Sequence, residues 1–337
     1  MILDKTALDA RLHSLIEACS VTGASLALVR NGTVEVAAAG IRDIDTREPV
    51  NDQTVLDAAS LTKPMVAYAV LQLVDAGVLN LDEPLSSFAP LIVPDDAAAA
   101  LITTRHLLSH TCGLQNLRGK EPLRMHFKPG AWFSYASVGF AYLQSAVELR
   151  TGEPLEATMR RLVFEPLGMR SSSLEWQERF RDNVASPHEV GKRIDKHFAP
   201  VANASYSLQT TAADYGAFVA AVLKADRLRE STYRQWLTAE VNVPKGAAIH
   251  LELDPPATEQ DIGWGLGWGI ESSRGTFFKW GKMSGVRAFV MGSPTEQSGV
   301  VLLTNSNTGL RLMEALASEV LPGDHPAIGW LGACISE

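Results

Sequence analysis

Two residues one helical turn apart have the types needed for a nucleophile and its base. Ser60 and Lys63 stand in Ala59-Ser60-Leu61-Thr62-Lys63-Pro64, ahead of the helical run M-V-A-Y-A-V-L-Q-L-V. Residues i and i+3 share a helix face, so the lysine amine can reach the serine hydroxyl. A serine hydroxyl is a poor nucleophile until a neighbouring base takes its proton. Burial lowers a lysine's pKa toward neutrality, and the amine then serves as that base. With Ser60 at the helix start, Pro64 falls in or just after the first turn, where a missing N–H is tolerated. The helix N-terminus also lends positive potential to a developing oxyanion. Standing alone, the pair reads as readily as an N-cap serine beside a surface lysine. Ser-x-x-Lys is a short pattern, and it occurs once in this chain.

Acyl transfer also needs a proton carrier for the leaving group and something to polarise the carbonyl. Tyr135 follows a Pro-Gly turn in P-G-A-W-F-S-Y-A-S-V-G-F-A-Y-L, at the mouth of the next helix. Near cations a phenol can lose or share its proton below its usual pKa of about 10. By itself, Tyr135 reads as a buried aromatic. Thr276-Phe277-Phe278-Lys279-Trp280-Gly281 reads as a strand ending in a glycine, where a ligand could approach the backbone. Lys279 would add positive charge there, and the backbone N–H of Lys282 could face a substrate carbonyl. The plainer alternative is an edge-strand lysine. Lys128-Pro129-Gly130 sits in a turn and is set aside. His110 and Cys112, two residues apart in a loop, are a weak Cys/His pair.

These side chains need a frame. Residues 5–19 carry Leu8, Leu12, Leu15 and Ile16 at helical spacing. A-S-L-A-L-V-R and T-V-E-V-A-A-A-G flank Asn31-Gly32, a strong hairpin signal. Residues 276–291 and 298–305 read as strands, and a helix follows near 308–320. Residues 61–79, 103–109, 137–151, 154–166 and 211–224 read mainly as helices. The expected fold is α/β (α+β): an antiparallel sheet drawn from both chain ends, flanked by helices, with a mainly helical lobe inserted. It forms one catalytic domain, an α/β lobe of about 1–59 plus 262–337 and a helical lobe of about 60–261. Clefts between such lobes often hold active sites.

Composition narrows the function classes. The 337 residues are 46% hydrophobic, enough for one large core or two lobes. A net charge of -8 with no Lys/Arg-rich run argues against nucleic acid as a partner. Cys19, Cys112 and Cys334 are too few and scattered for a disulfide framework or thiolate cluster. No H-E-x-x-H occurs and the histidines are dispersed, so no metal and no cofactor are expected. The G-x-S-x-G elbow of α/β-hydrolases is also missing. M-I-L-D-K-T-A-L-D-A-R-L carries acids, lacks a long apolar run, and is neither a signal peptide nor an anchor. The expectation is a cytoplasmic protein without a membrane partner, although a trimmed export signal stays open. Oligomeric state is not legible.

Taken together, the chain resembles the penicillin-recognising serine hydrolases. It is most similar to the branch of class C β-lactamases, D,D-peptidases and family VIII carboxylesterases. Ser-x-x-Lys, Tyr-x-Asn/Ser and Lys-x-Gly appear in the family order. R-H-L-L-S-H-T-C-G-L at 105–114 resembles the family's H-T-S-G-L loop. S-L-Q-T-T-A-A-D-Y at 207–215 resembles its helix-entry segment, and G-L-G-W-G at 265–269 the strand before Lys-x-Gly. The resemblance covers nearly the whole chain. It implies Ser60 as acylated nucleophile, Lys63 as general base, Tyr135 as proton relay and Lys279 as the cation that tunes Tyr135. The backbone N–H groups of Ser60 and Lys282 would form the oxyanion hole, with Gly281 beside them. It implies structural roles for His110 and Gly113.

Two departures bear on substrate. Ser137 stands where β-lactamases usually carry an Asn that holds the acylamino group. Trp280 stands where a Thr or Ser usually helps bind the carboxylate. Both weaken recognition of a penicillin or a D-Ala-D-Ala end, and both suit a plain acyl group with an apolar alcohol. The expected function is a carboxylesterase acting on small or medium acyl esters through an acyl-enzyme. Its alternatives are a β-lactamase, D-amino-acid peptidase, amidase or acyltransferase on the same machinery, or a non-catalytic penicillin sensor. The partner is thus a small ester or amide.

Overall fold

The computed structural model describes residues 5–189 and 191–335. In chain order, helix α1 (Lys5–Ala18) precedes strands β1 (Gly23–Arg30), β2 (Thr33–Gly40) and β3 (Leu56–Asp57). Helices α2 (Thr62–Asp75), α3 (Thr104–Leu108), α4 (Ser137–Thr151) and α5 (Leu155–Met159) follow. Short strands β4 (His188–Glu189), β5 (Lys192–Arg193) and β6 (Gln209–Thr210) lead to α6 (Ala212–Leu223) and α7 (Glu230–Trp236). Strands β7 (Val241–Pro244), β8 (Thr258–Trp264), β9 (Gly269–Glu271), β10 (Thr276–Met283), β11 (Val286–Ser293) and β12 (Ser298–Thr304) come next. Helices α8 (Met313–Val320) and α9 (Pro326–Ile335) close the series.

The first of two compact units comprises Met1–Met65, Met159–Asp226 and Phe278–Asp324. Its antiparallel strands run in the order β2-β1-β12-β11-β10, so both ends of the chain build one sheet. The β1–β2 hairpin turns at Asn31 and Gly32, with φ of 50° and 80°. These are the two positive angles that a two-residue turn of this twist demands. β1 also pairs with β12, from Ala24 opposite Thr304 to Arg30 opposite Ser298. Seven of its eight residues are buried, because α6 and α1 pack against it. A strand covered in this way reads as a nearly continuous apolar run, as A-S-L-A-L-V does. Gly216 lets α6 approach: a Cβ there would lie 2.7 Å from Val34 and 3.1 Å from Ala27.

The second unit comprises Val66–Thr158, Arg227–Phe277 and His325–Glu337. Trp236 of α7 stacks on Tyr68 of α2 at 5.3 Å, and both are fully buried. β7, β8 and β9 pair antiparallel, and α9 packs on β8 and β9. Buried Glu271 fixes that helix by accepting the Ala327 N–H at 3.0 Å and pairing with His325 at 2.8 Å. No helix among the described residues is long and apolar enough to cross a membrane.

Several expectations shift. The unit boundaries do not follow 59/60 and 261/262. Packing of α6 on β1, β2 and β12 places 159–226 with the terminal strands, and packing of α9 on β8 places 325–335 with the second unit. G-L-G-W-G is not a strand. Gly265 to Trp268 form the turn between β8 and β9, closed by Gly265 N–H to Trp268 O at 2.8 Å, with Gly267 at φ 102°. The expected helix at 154–166 is α5 followed by a π turn at Arg160–Phe164. β7 and the first half of β8 fall within 60–261, the lobe expected to be mainly helical, where prolines and acids hide the period of two.

Candidate active site

In the first unit, Ser60 sits in a 3-10 turn, Ala59–Leu61, that runs directly into α2. Ala59 holds φ at 48°, a left-handed conformation that a Cβ disfavours. Four hydrogen bonds hold the kink. Leu61 N–H donates to Ala58 O at 3.0 Å. The Thr62 hydroxyl donates to Ala59 O at 2.7 Å and accepts the Leu208 N–H at 3.1 Å. The Tyr215 hydroxyl of α6 donates to Leu61 O at 2.9 Å. Ser60 itself stays half-buried, so its hydroxyl keeps an open side.

Lys63 is fully buried on the same turn. Its amine lies 3.2 Å from Ser60 Oγ and 2.8 Å from the Ser205 carbonyl oxygen. Burial pushes its pKa down from 10.5 to about 7. An amine in that range holds a usable lone pair at neutral pH.

Lys279, on β10, is also fully buried. Burial first, and then the like charge of Lys63, push its pKa well below the ordinary value. Its Nζ sits 3.9 Å over the Trp280 ring and donates to Trp280 O at 3.3 Å. The indole face attracts a cation and offsets part of that push. These surroundings oppose the standing cation that the family resemblance implies for Lys279. Trp280, 6% exposed, gives its ring face to its own neighbour as well as bulk to the site.

Gly281 has no left-handed φ; space makes it necessary. A Cβ there would stand 2.6 Å from Ala58 O, 3.1 Å from Ala59 Cβ and 3.2 Å from Ala288 Cβ. β10 therefore lies against the turn that carries Ser60. The Lys282 side chain is exposed, which leaves its backbone as the part that can face the site. Gly281→Ala is expected to push β10 off the nucleophile turn and lower kcat/KM by about 10²-fold, the effect of an ångström-scale misplacement. Steady-state kinetics beside a melting curve checks this. Unchanged turnover would mean that the close approach has no catalytic consequence.

Tyr135 and Ser137 belong to the second unit. His110 pins the backbone on both sides of Tyr135. Its carbonyl accepts the Ser134 N–H at 2.9 Å, and its Nδ1 accepts the Ala136 N–H at 3.1 Å. Its ring lies 4.2 Å from the Tyr135 ring. Tyr135 is 6% exposed, and its N–H donates to Ala248 O at 2.8 Å. Ser137 is the first residue of α4, and its N–H donates to Asn116 Oδ1 at 3.0 Å. Asn116 was not singled out in the sequence. An Asn that caps a helix from a distant loop leaves no local pattern. The same holds for Ser205, which meets Lys63 through a backbone carbonyl.

A beta-lactamase family model matches residues 8–322. The chain is 30% identical over 250 residues to esterase EstB of Burkholderia gladioli, covering 59% of this chain and 64% of that protein's length. It is 28% identical over 332 residues to penicillin-binding protein 4 of Amycolatopsis lactamdurans, covering 89% and 85%. Among solved structures, the octameric penicillin-binding protein homologue from Pyrococcus abyssi superposes with a TM-score of 0.77 at 22% identity. That match covers 94% of this chain and 77% of that one. SurE superposes with a TM-score of 0.75 at 24% identity, covering 93% and 74%. At these identities the two structures speak to the fold.

Proposed function

This chain belongs to the beta-lactamase family, and from that premise we propose that it is a serine hydrolase cleaving carboxylic esters of small or medium acyl groups. The observation that carries the proposal is the buried Lys63 amine, 3.2 Å from the Ser60 hydroxyl, with its pKa brought down to about 7.

In the proposed reaction the neutral Lys63 amine accepts the Ser60 proton as Oγ attacks the ester carbonyl. The tetrahedral oxyanion is met by the backbone N–H groups of Ser60 and Lys282. Tyr135 is the proton carrier to the departing alcohol. Water then attacks the acyl-enzyme and returns Ser60 to its hydroxyl form. Lys279 contributes a second buried amine, its pKa pushed down by burial and by the like charge of Lys63.

Preference for esters rests on Ser137 and Trp280. A serine presents less hydrogen-bonding capacity than the amide it replaces, and the indole brings bulk where a hydroxyl would bind carboxylate. Similarity to esterase EstB supports this reading. The longer match to a penicillin-binding protein keeps a β-lactamase or peptidase reading in view. Burst kinetics separates them. With p-nitrophenyl esters of graded acyl length, a burst of one nitrophenolate per site is expected, with nitrocefin turned over poorly. Nitrocefin turnover exceeding ester turnover would reverse the assignment. A stable penicillin or fluorophosphonate adduct without any turnover would make the protein a sensor.

A further inference from the structure

We propose that Asn203 is a positioning residue for Lys63, acting through the Ser205 carbonyl. The inference rests on the reading of Lys63 as general base.

A neutral amine carries two N–H groups and one lone pair in fixed tetrahedral directions. Once one N–H is committed to an acceptor, the lone pair can sweep only a cone about that bond. The Ser205 carbonyl, 2.8 Å from Lys63 Nζ, is that acceptor, and Ser60 Oγ lies 3.2 Å from the same nitrogen. The direction of the Ser205 carbonyl therefore decides whether the lone pair meets the hydroxyl proton.

Residues 203–208 form a turn outside any helix, and the ladder of β6 with β3 begins only after it, at Gln209. The turn's internal backbone bonds, from the Tyr206 and Ser207 N–H groups to Asn203 O, are long at 3.4 Å each, so side chains do most to aim the carbonyl. Asn203 Oδ1 accepts the Ser205 N–H at 2.9 Å and the Ser205 hydroxyl at 2.6 Å. The Asn203 N–H donates to Ser207 Oγ at 2.8 Å, and the Ser207 hydroxyl reaches Leu174 O at 2.7 Å. Next along the chain, Leu208 N–H bonds Thr62 Oγ1, the hydroxyl that holds Ala59 O. One turn thus grips the amine at Ser205 and the nucleophile's own bend at Leu208. Ser205 is 5% exposed, so water is a poor substitute for these bonds. Within this unit Lys279 of β10 is a titratable group whose charge interacts with that of Lys63. Ser60 and Ser205 face it as uncharged groups.

Two variants test the proposal, read by the pH profile of kcat/KM on a p-nitrophenyl ester. Asn203→Ala removes the acceptor and frees the Ser205 carbonyl. The ammonium form of Lys63 then loses an aimed dipole. The plateau of kcat is expected to fall about tenfold or more with KM within about twofold, and the acidic limb to move to lower pH. Asn203→Asp keeps an oxygen for both Ser205 donors and adds negative charge. It is expected to retain most of the plateau and to move the limb to higher pH. Opposed shifts are the signature of positioning, since a merely structural role would lower melting temperature without moving the limb. A limb unmoved in both variants, or a wild-type plateau in Asn203→Ala, overturns the proposal. Should Asn203→Ala not fold, Asn203→Asp alone decides: an unmoved limb overturns it. The two layers fail separately. If Lys63 is not the base, the wild-type limb lies away from pH 7. If Lys63 is the base but Asn203 does not aim it, the wild-type limb lies near 7 and stays there in Asn203→Ala.

Discussion

Ser60→Ala is expected to abolish the nitrophenolate burst and to lower kcat/KM by roughly 10⁴-fold or more, since removing a nucleophile removes the covalent route. The residual rate would come from carbonyl polarisation and binding alone. The loss should not be one of folding. Ser60 is half-buried, and the bend around it is held by Thr62, Leu61 and Tyr215 rather than by its hydroxyl. Lys63 loses one hydrogen bond and keeps Ser205 O. The stability change should therefore stay near ~1 kcal/mol, the net worth of one hydrogen bond. Stopped-flow burst amplitude, a fluorophosphonate adduct by mass spectrometry and a melting curve make the full measurement. Turnover or labelling that survives in Ser60→Ala would place the nucleophile elsewhere.

Lys63→Met is the second large effect, expected to cost 10²- to 10⁴-fold in kcat/KM, roughly the contribution of a general base. Lys63→Arg should be no better, because a guanidinium does not give up its proton. The wild-type pH profile carries the same information. Lys63 has its pKa lowered from 10.5 to about 7 by burial. Below that value the amine is protonated and has no lone pair. Activity should rise about tenfold per pH unit on the acidic side, bend near pH 7, and run flat above it. A bend near the usual carboxylate range, or a flat profile, would dismiss the amine as base. Lys279, lowered by burial and by Lys63, titrates with its neighbour, so the bend belongs to the pair.

Much of this architecture could be read before any coordinates. Asn31-Gly32 between two apolar runs defined the β1–β2 hairpin, and the terminal helices and strands followed their periods. Ser60 and Lys63 were legible because i, i+3 spacing puts two side chains on one helix face and Tyr135 and Lys279 follow in fitting contexts. What escaped was tertiary. Nothing local distinguishes Ser205, whose contribution is a carbonyl every residue owns, or Asn203, which looks like any turn asparagine. Gly281 was legible as a close approach, but its neighbours at Ala58 and Ala59 lie some two hundred residues away. For Lys279 the sequence offered a cation but not the downward push on its pKa, since burial is a property of the packed molecule. G-L-G-W-G failed as a strand because glycines serve turns as readily as extended backbone.

The pairing of β1 with β12 has a temporal side. β1 is synthesised long before its partner Thr304. Until then β1 has β2 and can have α1 and α6, but an apolar strand edge stays uncovered. Long-range pairing of this kind slows folding and prolongs exposure to aggregation. The nucleophile turn shares that schedule, since Lys279 and Gly281 are on a strand from the same late stretch. Until that stretch is made, the nascent protein therefore carries Ser60 and Lys63 without the strand that lies against their turn. A fluorophosphonate probe added to stalled nascent chains should label Ser60 only once the β10–β12 segment has emerged.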